Sequence, residues 1–264
     1  MRAPKLGYIK PMFALLLACS AKSSDPITHE DAEWNDIQMW KAFDELVDIG
    51  LPNVYEAFEQ YTMLYDEGAT LDCPGDGYNF NSPDVQDNGC TSQTEFFYNG
   101  AAEVRYEQGG WSFACDCRID SPDGRRFEGA GNIVQYTDDS GGLVESFLDI
   151  RGTYQTNYGP EWLQLRPSSV LSIYFGSAFQ LTGGYTLGET SVYFNDITFE
   201  ECDYGLGRLD IRDPSGGWWY FDRTEKCDSS GTLSFNGEVV AKRTNKDLRP
   251  LLDALYIAME DMTQ

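Results

Sequence analysis

The sequence has little histidine and few basic side chains. Its 264 residues contain one histidine, and 43 Asp and Glu face 19 Lys and Arg, for a net charge of −24. Because such a surface repels nucleic acid, we predict no nucleic-acid partner. With His29 alone near the N-terminus, and with no nucleophile elbow, phosphate loop or dinucleotide fingerprint, the usual catalytic constellations are missing. We therefore predict a non-enzymatic protein with no catalytic residue and no cofactor.

The apolar run near the N-terminus is too short to cross a bilayer. Residues 12–18 are about a third of the ~20 residues that a spanning helix needs. Arg2, Lys5 and Lys10 precede the run, and Cys19 with small polar residues follows it. This order of basic, apolar and small residues is typical of a secretory signal peptide.

The end of that signal carries a more specific motif. Leu16-Leu17-Ala18-Cys19 resembles the lipobox of bacterial lipoproteins. The resemblance implies a signal peptide at 1–18, a diacylglycerol and an acyl group on Cys19, and a lipid bilayer as partner through that acylated Cys19. Ser20, in place of aspartate, implies the outer membrane, with the face of the membrane left open. Several acyl chains suffice as an anchor, because each buried CH₂ contributes about 0.8 kcal/mol. The alternative is an ordinary cleaved signal that happens to contain a cysteine.

Six further cysteines remain after Cys19. An even number in an exported protein predicts three disulfides rather than a metal site, so we predict no metal ligand. A turn at Pro214-Ser215 lies midway between Cys202 and Cys227, which favours their pairing, and Cys73–Cys90 would close a turn-rich loop. For Cys115 and Cys117, about 6.6 Å apart on one strand, two alternatives stay open: they pair with each other, or both cross to Cys73 and Cys90.

Helical periodicity flanks a β-rich centre. After a tether at 19–29, we predict a single α+β domain at 30–264, with a helical hairpin at 31–66, a β-rich region at 70–243 and a C-terminal helix at 247–262 capped by Asp247. The apolar stripe of the first helix, 31–48, consists of Trp34, Ile37, Trp40, Phe43 and Val47, and the second helix is 53–66. The stripe of the C-terminal helix consists of Leu248, Leu251, Leu252, Leu255, Met259 and Met262.

Strict alternation of apolar and polar residues over 111–119 predicts a strand with one buried face. Short turns, including one at Thr182-Gly183-Gly184, separate the remaining runs and favour antiparallel hairpins. We expect a large antiparallel sheet of roughly eight to ten strands, as a sandwich or partial barrel, packed against the helices. The other predicted strands are 93–106, 125–136, 143–154, 161–166, 169–182, 189–200, 206–213, 217–223 and 231–242.

Three segments repeat a pattern that begins with cysteine and ends with an aromatic residue, Asn or Glu, and Gly. They span Cys90–Gly100, Cys117–Gly129 and Cys227–Gly237. The pattern resembles that of uncharacterised cysteine-containing, β-rich envelope lipoproteins of Gram-negative bacteria. Chance in a chain rich in glycine and aromatic residues is the alternative.

Two stretches suggest a ligand. Acidic residues cluster at 66–87 without a basic neighbour, which suits calcium, although their spacing fits no EF-hand. In Trp218-Trp219-Tyr220-Phe221, alternate side chains point to opposite faces, so one face is either covered or an exposed aromatic platform. We predict a membrane-anchored envelope lipoprotein with a binding or structural role and a protein or glycan partner. The alternatives are a cell-surface carbohydrate- or calcium-binding module and, least expected, a carboxylate-dependent envelope hydrolase.

Overall fold

In the computed structural model, the chain is dominated by one antiparallel sheet. The structure describes residues 25–50, 73, 89–107, 110–137, 143–155, 162–165, 171–175, 179–199, 202, 204–223 and 227–253. Within these ranges the strands are β1 (Cys90–Thr91), β2 (Phe97–Glu107), β3 (Gly110–Asp120), β4 (Arg126–Thr137), β5 (Leu143–Gln155), β6 (Trp162–Leu165), β7 (Leu171–Phe175), β8 (Phe179–Leu187), β9 (Thr190–Thr198), β10 (Leu206–Arg212), β11 (Trp218–Asp222), β12 (Ser230–Phe235) and β13 (Glu238–Asn245).

The sheet is an up-and-down meander. Neighbouring strands follow one another in sequence order from β1 to β13, with β6 and β7 sharing the place between β5 and β8. β6 pairs with residues 152–155 of β5, and β7 pairs with residues 146–150. All thirteen described strands belong to this one antiparallel sheet, which exceeds the eight to ten strands expected.

The predicted strand boundaries at Gly183-Gly184 and Asn236-Gly237 were wrong, because glycine occurs both in tight turns and inside closely packed strands. Gly183 and Gly184 lie inside β8, and the two-residue turn comes later, between Leu187 and Thr190. A Cβ at Gly184 would lie 2.2 Å from the carbonyl oxygen of Val192, so the close approach of β9 requires glycine there. The predicted strand 169–182 is accordingly divided between β7 and β8.

The predicted strand 231–242 is a hairpin, β12–β13. Its turn residues Asn236 and Gly237 both have positive φ, at 48° and 92°. An Asn-Gly pair with two positive φ angles is the preferred two-residue connection of an antiparallel hairpin. The Asn-Gly dipeptide indicates a hairpin turn, but the alternation of the flanking residues led to the prediction of one continuous strand.

The first helix is shorter than predicted. Helix α1 spans Asp36–Glu45 and continues as a π-helix over Leu46–Gly50. Asn35 caps it, because its side chain accepts from the Gln38 N–H while the Gln38 side chain accepts from the Asn35 N–H, each at 3.0 Å. Of the predicted stripe, Ile37 is 59% exposed, whereas Met39, which was not part of it, is fully buried. The second predicted helix, 53–66, lies outside the described residues.

The N-terminal segment, residues 25–50, packs on the sheet half formed by β8–β13. The Tyr185 hydroxyl donates to the Leu46 carbonyl at 2.7 Å, and the Trp40 ring meets Phe221 edge-on with centroids 5.0 Å apart. His29, which we assigned to the tether, lies 4.9 Å from the ring of Phe235. This segment therefore covers the apolar face of the C-terminal strands.

A buried carboxylate, Asp213, ties that segment to the sheet. Asp213, in the turn between β10 and β11, accepts from the backbone N–H groups of Glu33 and Trp34 at 3.0 Å and from the Trp219 indole at 3.1 Å. Its side chain is 1% exposed. Burial alone would raise its pKa, but hydrogen bonds from Ser215 and from the Glu33 and Trp34 N–H groups outweigh it, and the pKa is lowered.

At the C-terminus, residues 249–253 are helical, and the Asp247 carboxylate accepts from the Arg249 N–H at 3.0 Å, as expected of a cap. Leu248 and Leu251 are buried in the core. The predicted stripe beyond Asp253 lies outside the described residues. In the part of the chain that the structure describes, no helix combines the length and the apolar character needed to span a membrane.

Candidate ligand surface and disulfides

The outward face of β9–β11 carries the most developed polar and aromatic arrangement among the described residues. Strand alternation buries Trp219 and Phe221 at 1% exposure each and turns Trp218 and Tyr220 outward, where both are half-buried. On β10, Leu209 and Ile211 are buried in the same way, which leaves Arg208, Asp210 and Arg212 on the opposite face. The aromatic stretch thus has one core face and one partly exposed face.

Strand register brings five outward residues of β9, β10 and β11 together. Asp210 lies directly opposite Tyr193 on β9 and Tyr220 on β11. Arg208 lies opposite Asn195 in the same way. We call this group, Tyr193, Asn195, Arg208, Asp210 and Tyr220, the Asp210 surface.

The polar members of the Asp210 surface form one hydrogen-bonded network. The Arg208 guanidinium donates to both carboxylate oxygens of Asp210, at 2.8 and 3.1 Å, and the Asn195 amide donates at 3.0 Å. The guanidinium carbon also lies 5.2 Å from the centroid of the Tyr220 ring, in cation–π range. The network fixes the relative positions of Asn195, Arg208 and Asp210 and places the guanidinium against the Tyr220 ring.

The carboxylate at the centre is shielded from water. Asp210 is only 7% exposed although it lies on the outward face. Burial raises the pKa of Asp210 and the charge of Asp222 adds to this, whereas the hydrogen bonds from Arg208 and Asn195 oppose it. Because the Asp210 oxygens accept from Arg208 and Asn195, the carboxylate orients these two donors. The half-buried Tyr193 and Tyr220 on the neighbouring strands add aromatic surface for a ligand. Sequence reasoning singled out Trp218 and Tyr220 but missed Asp210, which the alternation of Arg208-Leu209-Asp210-Ile211-Arg212 could have revealed.

The structure joins the six cysteines as three disulfides. Cys73 pairs with Cys90 and Cys202 with Cys227, as predicted. Of the two alternatives left open, the structure shows Cys115 bonded to Cys117, with Cα atoms 5.5 Å apart. Cys202–Cys227 closes the open end of the β10–β11 hairpin. Beside it, the buried guanidinium of Arg223 donates to the carbonyls of Tyr204 and Asp228.

The remaining sequence candidates are not brought together. Cys19 and the acidic residues of 66–87 lie outside the described residues. Within the described ranges, no group of three or more His, Cys, Asp or Glu side chains could hold a metal ion. An open cleft of about 400 Å³ between α1 and the β8–β9 turn has Glu45 and Glu189 as its charged lining residues.

Comparisons with protein-family models, with curated proteins and with solved structures found no match to this chain.

Proposed function

We propose that this chain is an exported envelope lipoprotein whose sheet domain has a non-enzymatic binding role. The motif Leu16-Leu17-Ala18-Cys19 carries the proposal, since it places a cysteine directly after a short apolar run. The three disulfides support export, because such bonds persist in oxidising compartments and are rare in the cytosol. Ser20 after the lipidated cysteine supports the outer membrane as the destination.

The docked N-terminal segment supports a position close to the bilayer. The Ile27 N–H donates to the Asp36 carboxylate at 2.9 Å, and the Asp36 N–H donates back to the Ile27 carbonyl at 3.0 Å. The chain is thus held to the domain from Ile27 onward. The eight-residue step from Cys19 to Ile27 can span at most about 28 Å, so an acylated Cys19 would keep the domain near the membrane surface.

Replacing the anchoring cysteine tests the location. In Cys19→Ser, the sulfur that carries the lipid is gone, and we expect the protein to move from the membrane fraction to the soluble fraction. Ser20→Ala is the matched control, and we expect it to stay with membranes. Unchanged partitioning of Cys19→Ser would refute the anchor.

The Asp210 surface favours carbohydrate as the ligand class. The half-buried Tyr193 and Tyr220 lie opposite Asp210 on the two neighbouring strands and add aromatic surface. Arg208 and Asn195 carry more N–H groups than Asp210 takes up, which leaves donors for hydroxyl groups. Strong negative net charge disfavours anionic ligands elsewhere on the molecule, and neutral sugars are indifferent to it.

Titration with a panel of defined neutral oligosaccharides tests this assignment. We expect binding by the Cys19→Ser chain and a loss of about tenfold or more in Tyr220→Ala, because the lost ring removes a contact worth more than 1 kcal/mol. Val239→Ala, at a site 57% exposed and on another strand, should bind as the parent does. No binding by the parent, or equal binding by Tyr220→Ala, would remove carbohydrate as the ligand class.

A further inference from the structure

The Cys115–Cys117 disulfide encloses a single residue within a continuous strand. β3 pairs with β2 at eleven consecutive positions, and it pairs with β4 at eleven as well. The ladder passes through both cysteines without a shift in register on either side. The neighbouring strands therefore hold this part of β3 in place whether or not the sulfur atoms are joined.

Such a bond contributes little to the fold. A disulfide stabilises mainly by restricting the unfolded chain, and the effect grows with the number of residues enclosed. The other two disulfides join cysteines 17 and 25 positions apart, whereas Cys115 and Cys117 are 2 positions apart. Loop closure therefore explains the Cys73–Cys90 and Cys202–Cys227 disulfides but not the Cys115–Cys117 disulfide.

The two sulfur-bearing residues differ in access. Cys115 is 5% exposed, and Cys117 is only partly buried against the core. Opposite Cys117, both register partners are glycines, Gly100 on β2 and Gly129 on β4. No side chain from the directly paired position on either neighbouring strand stands beside Cys117.

The close approach of the neighbouring backbones explains why glycine occupies positions 100 and 129. A Cβ at Gly100 would lie 2.4 Å from the Asp116 carbonyl oxygen, and a Cβ at Gly129 would lie 2.1 Å from that of Arg151. The backbones approach too closely for any other residue. A consequence of this packing is that neither directly paired position carries a Cβ beside the half-buried Cys117 side chain.

We propose that Cys115–Cys117 is an exchangeable disulfide that reacts with an incoming thiolate at Cys117. The thiolate attacks the Cys117 sulfur, a mixed disulfide forms there, and Cys115 leaves as a thiolate that takes a proton from water. A second thiolate then displaces Cys117. The two incoming thiols leave joined as a disulfide, and the cysteine pair gains two electrons and two protons. The co-reactant is a small thiol or a cysteine of another protein, and both deliver the same thiolate.

Graded reduction of the folded chain tests the proposal. The Cys19→Ser chain, which retains only the six paired cysteines, is held in glutathione buffers of increasing reducing strength, quenched with acid and alkylated. Each cysteine is then read by mass spectrometry. We expect Cys115 and Cys117 to be labelled at thiol concentrations about tenfold lower than the other four, with the circular dichroism of the fold unchanged. Opening of this pair only together with the others would overturn the proposal.

Single variants identify the attacked sulfur. In Cys115→Ser the remaining Cys117 thiol should react with oxidised glutathione, releasing one reduced glutathione, about tenfold faster than the Cys115 thiol does in the matched variant Cys117→Ser. Equal or reversed rates would overturn the assignment to Cys117. If either variant fails to fold, the position of the first glutathione adduct on the parent chain decides between the two sulfurs. A protein cysteine as the natural co-reactant is distinguished by incubating Cys115→Ser with a dithiol protein in its disulfide form, which the Cys117 thiolate should open to give a trapped mixed disulfide.

Discussion

The two ends of the sheet, β2–β5 and β10–β13, differ in strand length and in the side chains on their inner faces. β2–β5 are long, at 11 to 13 residues each, and the face that bears Cys117 also bears Gly129 and Gly152 in register across the strands. β10–β13 are shorter, at 5 to 8 residues, and their inner face carries large buried side chains such as Trp219, Phe221 and Phe235 under residues 25–50. The C-terminal half is thus stabilised by side-chain burial and by a cover. The N-terminal half also buries large side chains, such as Phe127 and Tyr154, but combines them with longer backbone ladders and with glycines beside Cys117.

Phe43→Ala should give the largest effect, because it removes the cover from the C-terminal half. Phe43 is 2% exposed, and truncating a buried phenylalanine costs about 4 kcal/mol. Ile37→Ala, on the same helix but 59% exposed, should change the free energy of unfolding by less than about 0.5 kcal/mol. Denaturant unfolding measures both. Equal losses would show that α1 does not pack as described.

Removing the Cys202–Cys227 disulfide should lower the free energy of unfolding more than removing the Cys115–Cys117 disulfide. Replacing both Cys202 and Cys227 by serine removes a 25-position closure and should cost about 3.5 kcal/mol by the chain-entropy relation. Replacing both Cys115 and Cys117 by serine should cost only about 1 kcal/mol. Denaturant titrations of the two double variants measure the difference, and a larger loss from the Cys115–Cys117 pair would reverse the comparison.

Asp213→Ala should detach the N-terminal segment from the C-terminal half. Three of the donors that it satisfies, the Glu33 and Trp34 N–H groups and the Trp219 indole, would lose their partner, at a cost of about 3 kcal/mol. Asp44→Ala is the control, since its ion pair with Lys246 joins the same segment to the sheet, but the Asp44 side chain is 54% exposed and the pair is worth less than about 1 kcal/mol. Thermal and denaturant unfolding distinguish the two, and matched losses would contradict the role of burial.

Gly152→Ala tests the backbone packing of the N-terminal half. Its φ is +134°, and a Cβ would lie 2.3 Å from the Glu128 carbonyl oxygen, so we expect a loss of about 2–3 kcal/mol. Gly124→Ala has a similar φ problem, at +91°, but nothing within 4 Å, and should lose only about 1 kcal/mol. If both variants unfold alike in denaturant, the close approach of β4 and β5 is not what requires glycine.

The smallest expected effect is on pH dependence. Because the pKa of Asp213 is lowered in the folded state, its contribution is complete above the ordinary value of 3.8 and is lost as the pH falls through the folded pKa. Between about pH 4 and pH 2 the parent should lose about 1 kcal/mol more than Asp213→Asn does. Parallel stability curves over that range would mean that the carboxylate is not held by these hydrogen bonds.

Alternation located most of the strands but not the places where glycine acts. β3, β4 and β5 begin and end within one residue of the predicted bounds, because each is a long strand-like run that turn residues delimit. Gly183-Gly184 was taken for a turn and Asn236-Gly237 for strand, since a glycine serves equally in a tight turn and in close strand packing. Only the neighbouring strand, which the local sequence does not show, decides between these uses.

The candidate site was predictable in part. The two outward aromatic side chains of β11 followed from alternation, and the Cys202–Cys227 pair followed from the central turn. The Asp210 surface depends on the register between β9, β10 and β11, which joins residues up to 27 positions apart in sequence, from Tyr193 to Tyr220. Ile37 is exposed and Met39 is buried, the reverse of the prediction, because tertiary contacts and not periodicity alone decide which helix face packs on the core.

The most direct measurement is the mass of the mature N-terminal peptide, isolated from the producing cell and sequenced by mass spectrometry. The account requires a chain that begins at Cys19, with a diacylglyceryl group on its sulfur and a fatty acyl group on its amine. A mature chain that begins elsewhere, or an unmodified Cys19, would contradict the lipid anchor on which the proposed function rests.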